Sequence, residues 1–286
     1  FNIDPAPFYL FANNLLPKKD IQPTVCHKFI HNLQERKKLL RNYTQNIDGL
    51  EKKVGITKLV ECHGHMSKFH CTSRKCKKTK SIVDVELDIR NGEICYCKCG
   101  EVLKPSVTFF GEQLPKILFT SMKKDLHKCD LVLVIGTSLK VGGSVHEVLK
   151  GVDPTIPQIL INRDVVNLPP DLSEGFDVTL LGYCDDICEY LCHRLGWKDL
   201  NSNNIPNENE NEKVDVTVQS SIHGSNSYIE SVASDHNNAN LVAPNNKRKA
   251  SEDNATYYDE KSCNNHDCKW EVEQVVERNF NIQITK

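Results

Sequence analysis

Short apolar runs, each ending in a small polar or glycine-containing loop, set the pattern of this chain. Leu131-Val132-Leu133-Val134-Ile135 leads into Gly136-Thr137-Ser138, and Gln158-Ile159-Leu160-Ile161 into Asn162-Arg163. Val178-Thr179-Leu180-Leu181 leads into Gly182-Tyr183-Cys184-Asp185, and Lys58-Leu59-Val60 into the stretch that carries Cys62-His63-Gly64. Continuous apolar runs without alternation predict strands buried on both faces, hence a parallel sheet covered by helices. Between them, Val25, Cys26, Phe29, Ile30 and Leu33 recur at helical spacing within 23–33, as do Ile187, Cys188, Leu191, Cys192 and Leu195 within 185–195. Asp185 and Asp186 stand at the start of the second helix, where carboxylates complement the dipole, and Gly196 stands just past its end. The predicted fold is an open, doubly wound, Rossmann-like α/β domain. Between His65 and Pro105 this grammar fails; that stretch is rich in Lys and Cys and reads as an inserted module.

Composition divides the chain. Over 286 residues the apolar fraction is 39% and the mean hydropathy −0.45, but the deficit is concentrated in Asn201–Asn265, which holds fifteen Asn. Such a segment cannot bury enough apolar surface to offset chain entropy and is expected to lack order. Residues 1–198 are the predicted folded domain, with the inserted module at about 65–105. Residues 199–265 read as an Asn/Ser-rich linker. Residues 266–286 regain apolar positions (Val272, Val275, Val276, Phe280, Ile282, Ile284) and are expected to dock back on the domain or bind a partner.

The net charge of −2 gives no whole-protein argument for nucleic acid or an anionic membrane, and direct nucleic-acid binding is not expected. No run approaches the ~18 apolar residues of a spanning helix, so no membrane partner is expected either. Lys247-Arg248-Lys249 is a short basic cluster of the nuclear-import kind. The chain opens on Phe1 rather than Met, so its natural start is expected to lie upstream.

Thirteen Cys, an odd number spread through strand and helix patterns, fit a reducing compartment with a metal site better than a disulfide scaffold. Cys71 and Cys76 stand as C-x4-C, and Cys95-Tyr96-Cys97-Lys98-Cys99-Gly100 follows about twenty residues on. Two thiol clusters at that separation predict a structural tetrahedral zinc. Cys71, Cys76, Cys97 and Cys99 are the nominal ligands, with Cys95 the alternative to Cys97.

Asn42 to Leu50 holds the densest polar cluster near a strand end, with Thr44, Gln45, Asn46 and Asp48 around Ile47. Ligands bind at the carboxyl ends of strands in such folds, so this cluster and His63 read as halves of one site. Gln45-Asn46-Ile47-Asp48, Cys62-His63-Gly64, the paired-Cys insert, Phe109-Phe110-Gly111-Glu112, Gly136-Thr137-Ser138-Leu139, Ile161-Asn162-Arg163 and Gly182-Tyr183-Cys184-Asp185 occur in the order found in sirtuins. Over residues 1 to 198 the chain resembles that family of NAD-dependent protein-lysine deacylases, most of all its nuclear class I branch.

The resemblance implies a transferase that removes acetyl groups from lysines of proteins such as histones, releasing nicotinamide and O-acetyl-ADP-ribose, with a role in chromatin and transcription. It implies His63 as catalytic base, with Asn46 beside it. It implies a cofactor site of Gln45, Asn46, Ile47, Asp48, Gly136, Thr137, Ser138, Asn162, Arg163, Asp164 and Cys184. Thr108, Phe109, Gly111, Glu112, Leu139 and Val141 would bracket an acetylated protein or histone tail. NAD and a structural zinc are the implied cofactors, and the nucleus the implied location, with the cytoplasm a second. Two other readings remain: protein ADP-ribosyl transfer, and a non-catalytic acyl-lysine binding module. The family's Gly-Ala-Gly-x-Ser phosphate-binding loop and Pro-Asp-Phe-Arg segment are absent from this sequence, which is expected to be truncated at its N-terminus.

Overall fold

The computed structural model describes residues 1, 3–16, 20–140, 143–168, 172, 175–197, 216–222, 225–232 and 282–285. In chain order the elements are α1 (Ala6–Ala12), α2 (Val25–Glu35), β1 (Leu39–Thr44), α3 (Leu50–Lys53), β2 (Leu59–Glu61), β3 (Gly64–Cys71), β4 (Thr79–Ser81), α4 (Glu86–Arg90) and β5 (Leu103–Val107). There follow α5 (Lys116–Asp125), β6 (Leu131–Ile135), α6 (Ser144–Gly151), β7 (Gln158–Asn162), β8 (Val178–Leu181), α7 (Cys184–Arg194), β9 (Val216–Ile222), β10 (Ser225–Val232) and β11 (Ile282–Thr285).

The large sheet runs β10-β9-β8-β7-β6-β11-β1-β2. From β8 to β2 every neighbouring pair is parallel, so the carboxyl ends of these strands share one edge. Strand β6 shows why its sequence carries no alternation. Leu131, Leu133 and Ile135 enter one core with α2 and α7, while Val132 and Val134 enter another with α5 and α6. Each such fully buried side chain contributes about 1.5–3 kcal/mol, which makes two-sided burial the main source of sheet stability. Helix α2 starts where Thr24 and His27 form a reciprocal capping box, satisfying amides the first turn leaves open.

Strand β1 extends further than its apolar run predicts. Leu39-Leu40 alone reads as a strand end, yet the strand continues to Thr44. Asp125 on α5 makes this possible: its carboxylate accepts from Arg41 Nε at 2.9 Å and from the Tyr43 hydroxyl at 2.7 Å. The guanidinium and the phenol are thus paired inside the domain, whereas the side-chain amide of Asn42 between them is buried with no hydrogen-bond partner among the described residues.

The cysteine-rich insert is a separate three-stranded antiparallel sheet, β4-β3-β5. Its core joins Met66, Phe69, Val85, Ile89 and Leu103 to Tyr9, Ala12 and Leu16 from α1 and the turn after it. Gly64 allows β3 to begin beside β5. Its φ is +75°, and a Cβ there would lie 1.8 Å from the Ser106 carbonyl oxygen. A Gly64→Ala variant is therefore expected to lose ~2 kcal/mol or more from backbone strain and displacement of β5. Its thermal midpoint should fall by at least about 5 °C; an unchanged midpoint would show that the contact is relieved at no cost.

Residues 216–222 and 225–232 lie within the stretch whose composition predicts no order, yet they form an antiparallel hairpin that extends the sheet beyond β8. Val216, Val218 and Ile222 alternate with polar residues, a local strand pattern that the Asn-rich average conceals. Residues 282–285, in the segment expected to dock or bind a partner, pair in parallel with both β1 and β6. The basic cluster at 247–249 lies outside the described residues.

Candidate active site and metal centre

The carboxyl edge of the sheet brings the polar loops together. At the end of β1, Thr44 is a junction. Its carbonyl accepts from the Cys62 N–H at 2.8 Å, its hydroxyl accepts from the Asn46 N–H at 3.1 Å, and the same hydroxyl donates to the buried carboxylate of Glu51. The Gln45-Asn46 turn and the Cys62-His63 turn are thereby held in one register.

His63 is half-buried, with the backbone of Gln45 beside its ring. Its Nε2 lies 4.0 Å from where a Cβ on Gly143 would sit, so the ring faces the loop before α6. Gln45 Nε2 reaches the same loop, donating to Ser144 Oγ at 3.3 Å. Burial holds the imidazole pKa below its ordinary value, against a smaller upward pull from the Gln45 carbonyl, and the ring is neutral at pH 7. Next to it, burial pushes the Cys62 thiol up to about 12, which makes Cys62 a packing residue and not a nucleophile.

The other strand ends complete the rim. Gly136, with φ +63°, turns the chain out of β6, and its N–H bonds the Ile161 carbonyl at 2.9 Å. Cys184 Sγ lies 3.7 Å from where a Gly136 Cβ would be and donates to that Ile161 carbonyl. Thr137 Oγ1 accepts from the Leu139 N–H at 3.2 Å and Ser138 Oγ from the Lys140 N–H at 3.5 Å. Leu139 is buried in the left-handed region at φ 52°, a conformation that costs a leucine about 1–3 kcal/mol and is characteristic of functional loops. Asn162 donates to the Asp164 carbonyl at 2.7 Å, and Arg163 pairs with the Asp164 carboxylate at 2.9 Å.

Two predicted residues sit differently from the rest. Ile47 packs against the small-module core. Asp48 is exposed, and its carboxylate accepts from the Leu50 N–H at 3.0 Å, at the start of α3. Val141 lies outside the described residues.

Beyond β5, the Thr108 N–H donates to the His63 carbonyl at 2.8 Å, which ties the 108–112 loop to His63. Phe109 packs on Phe8 and Phe1, and Lys104 Nζ lies 4.0 Å from its ring centroid. Phe110 is fully exposed. Glu112 accepts from the Phe109 N–H at 2.9 Å and pairs with Lys104 at 3.0 Å, holding Gly111 at the tip of a turn. Ser144 and the Thr44–Glu51 pair are the parts that sequence reasoning missed; Gly143-Ser144, at the start of α6, is the signal that points to Ser144.

The four Sγ atoms of Cys71, Cys76, Cys97 and Cys99 lie within 4.8 Å of one another. Cys71–Cys99 and Cys76–Cys97 are 3.4 and 3.7 Å apart. A tetrahedral zinc with bonds of about 2.3 Å separates its sulfurs by about 3.8 Å, so the set fits that ion. The backbone N–H of Cys99 brings the Cys97 thiol down to about 7, while burial raises Cys71 to about 12. Cys95 is turned away, its thiol donating to the Val85 carbonyl. The choice left open by spacing falls to Cys97, and four thiolates leave no open position for catalysis. No described helix is long and apolar enough to cross a membrane.

Residues 1–143 match the model of the Sir2 family. The NAD-dependent protein deacetylase sir-2.1 of Caenorhabditis elegans is 43% identical over 197 residues, which are 68% of this chain and 31% of that protein. Human NAD-dependent protein deacetylase sirtuin-1 is 43% identical over 202 residues, 68% of this chain and 26% of that protein. The NAD-dependent histone deacetylase SIR2 of Saccharomyces cerevisiae is 39% identical over 235 residues, 69% of this chain and 40% of that protein. The chain thus spans between a quarter and two fifths of the length of these relatives. With the strand-end loops and the four-cysteine module where the motifs predict them, the chain belongs to the Sir2 family, the sirtuins.

Proposed function

We propose that the protein removes acetyl groups from lysine side chains with NAD as co-substrate, acting on histones or other nuclear proteins. The observation that carries this reading is His63: a neutral, half-buried imidazole facing the loop between β6 and α6, in register with the Gln45-Asn46 turn. Bound NAD supplies an electrophilic ribose carbon with nicotinamide as leaving group. Gln45 and Asn46 supply amides, and Thr137 and Ser138 hydroxyls, suited to the ribose and carboxamide. Gly136 lets backbone approach a phosphate or ribose closely. Asn162, Arg163, Asp164 and Cys184 stand along the same rim, where the adenosine half would lie. His63 accepts the proton of a ribose hydroxyl, a task that requires the unprotonated ring. The 108–112 loop and Leu139 flank the site from two sides and suit an extended peptide held by main-chain hydrogen bonds.

Mass spectrometry of an acetyl-lysine peptide incubated with the protein and NAD tests this directly. Loss of one acetyl group, dependent on NAD, is the expected result. Gain of an ADP-ribosyl group on protein or peptide would instead make the protein a transferase of that group. Peptide binding with neither product would leave a binding module.

A further inference from the structure

The net charge of −2 hides a local concentration of the opposite sign. Between Glu61 and Asp84 the chain holds no carboxylate side chain but six cations: Lys68, Arg74, Lys75, Lys77, Lys78 and Lys80. They occupy β3, β4 and the first cysteine knuckle, and all but the half-buried Lys80 are exposed. Among the described residues none of the six lies within ion-pair distance of a carboxylate. The module's acidic residues, Asp84, Glu86, Asp88, Glu93 and Glu101, follow later in the chain; Glu86 already pairs with Arg90, and Glu101 stands on the second knuckle.

One ordinary explanation is compensation for the metal centre, since four thiolates on a divalent zinc carry a formal charge of about −2. Six cations exceed that requirement, and the exposed ones point their charge at solvent. We infer that this knuckle is a docking surface for the phosphate backbone of duplex DNA. Five of the six are Lys, a residue depleted from protein–protein interfaces but well suited to phosphates as a point charge. Thr72, Ser73, Thr79 and Ser81 add hydroxyls of the kind that bond phosphate oxygens. From Cys71 to Ser81 there is no aromatic residue, which removes both the anchor of a protein interface and the stacking platform of a single-strand binder. The surface also stands at a useful distance. Strand β3 joins Gly64, next to His63, to Cys71 at the knuckle, roughly 24 Å at the rise of an extended strand. On the reading above, a protein tail in the active site would leave room for its DNA at the knuckle.

The test is fluorescence anisotropy of a labelled duplex of arbitrary sequence, titrated with the 286-residue protein over a salt series. It uses neither NAD nor acetyl peptide, so its outcome is independent of the deacetylase reading. Five exposed cations predict a log–log salt slope of about −4.5. The triple variant K75E/K77E/K78E is expected to weaken binding at least about tenfold with zinc content and thermal midpoint unchanged, and K75Q/K77Q/K78Q to flatten the slope by about 3. A K123E/K124E variant on α5 is expected to bind as the parent does. The inference is overturned if the parent fails to bind duplex at low salt, or if the knuckle variants bind unchanged. It is equally overturned if labelled poly-glutamate binds as tightly as DNA with the same dependence on the knuckle.

Discussion

A His63→Ala variant is expected to lose NAD-dependent deacetylation by about 10²–10⁴-fold, the range a positioned general base contributes. Its zinc content and thermal midpoint should stay at parental values. The ring is half-buried at the carboxyl edge of the sheet, and the backbone bonds on either side of it, Cys62 N–H to Thr44 and Thr108 N–H to His63 carbonyl, do not depend on the side chain. The pH profile supplies the second readout. Burial lowers the imidazole pKa, so the active, neutral form persists below the ordinary His value of about 6.5. The rate should be flat through neutrality and fall only as pH drops through that lowered value. Stability runs the same way, because the unfolded chain binds the proton more readily than the folded one; the contribution is present above about 6.5 and is lost as pH falls through the folded pKa. An acid limb above 6.5, or near-normal turnover by the variant, would move the base elsewhere.

The residues that the sequence made legible are those whose pattern follows from local physics. Unalternated runs such as Leu131–Ile135 announce burial on two faces, and their polar successors mark the ligand edge. The sequence did not announce that Arg41 and Tyr43 belong to a buried strand. Their partner, Asp125, is some eighty positions away on α5, and no periodicity connects them. Glu51 was hidden for the same reason. A carboxylate in a Lys-rich helix reads as surface, whereas the fold buries it against Thr44 and makes it a support for the Asn46 turn. The strands at 216–222 and 225–232 were masked by averaging: a strand pattern of a few residues disappears in the composition of a long Asn-rich window. Charge behaved likewise, since a whole-chain sum of −2 averages away six cations gathered along β3, the first knuckle and β4.

Removal of zinc should have the largest effect on the fold. The small module has a modest core; beyond the cysteines its two knuckles are joined by the Thr72 N–H and hydroxyl, which both donate to the Val102 carbonyl, and by the end of the β3–β5 pairing, while the Tyr96–Val102 bridge only closes the second knuckle on itself. Structural zinc in such sites contributes about 10–16 kcal/mol of apparent binding free energy, more than most domains possess in total stability. A strong chelator is therefore expected to unfold the module and lower the thermal midpoint of the whole chain. Loss of the module also releases the 108–112 loop, which β5 anchors, so acetyl-peptide binding should fail together with the metal. Single substitutions separate the two candidate ligand sets. Cys97→Ser should abolish stoichiometric zinc and reproduce the chelator's effect, because its Sγ belongs to the cluster within 4.8 Å. Cys95→Ser should keep one zinc per chain and cost only the packing of a buried thiol bonded to the Val85 carbonyl, about 1 kcal/mol. Metal analysis of the purified variants decides between them: zinc retained without Cys97 and lost without Cys95 would reverse the assignment. Both thiols are buried. What distinguishes them is direction, since Cys97 faces three other sulfurs and Cys95 faces a carbonyl.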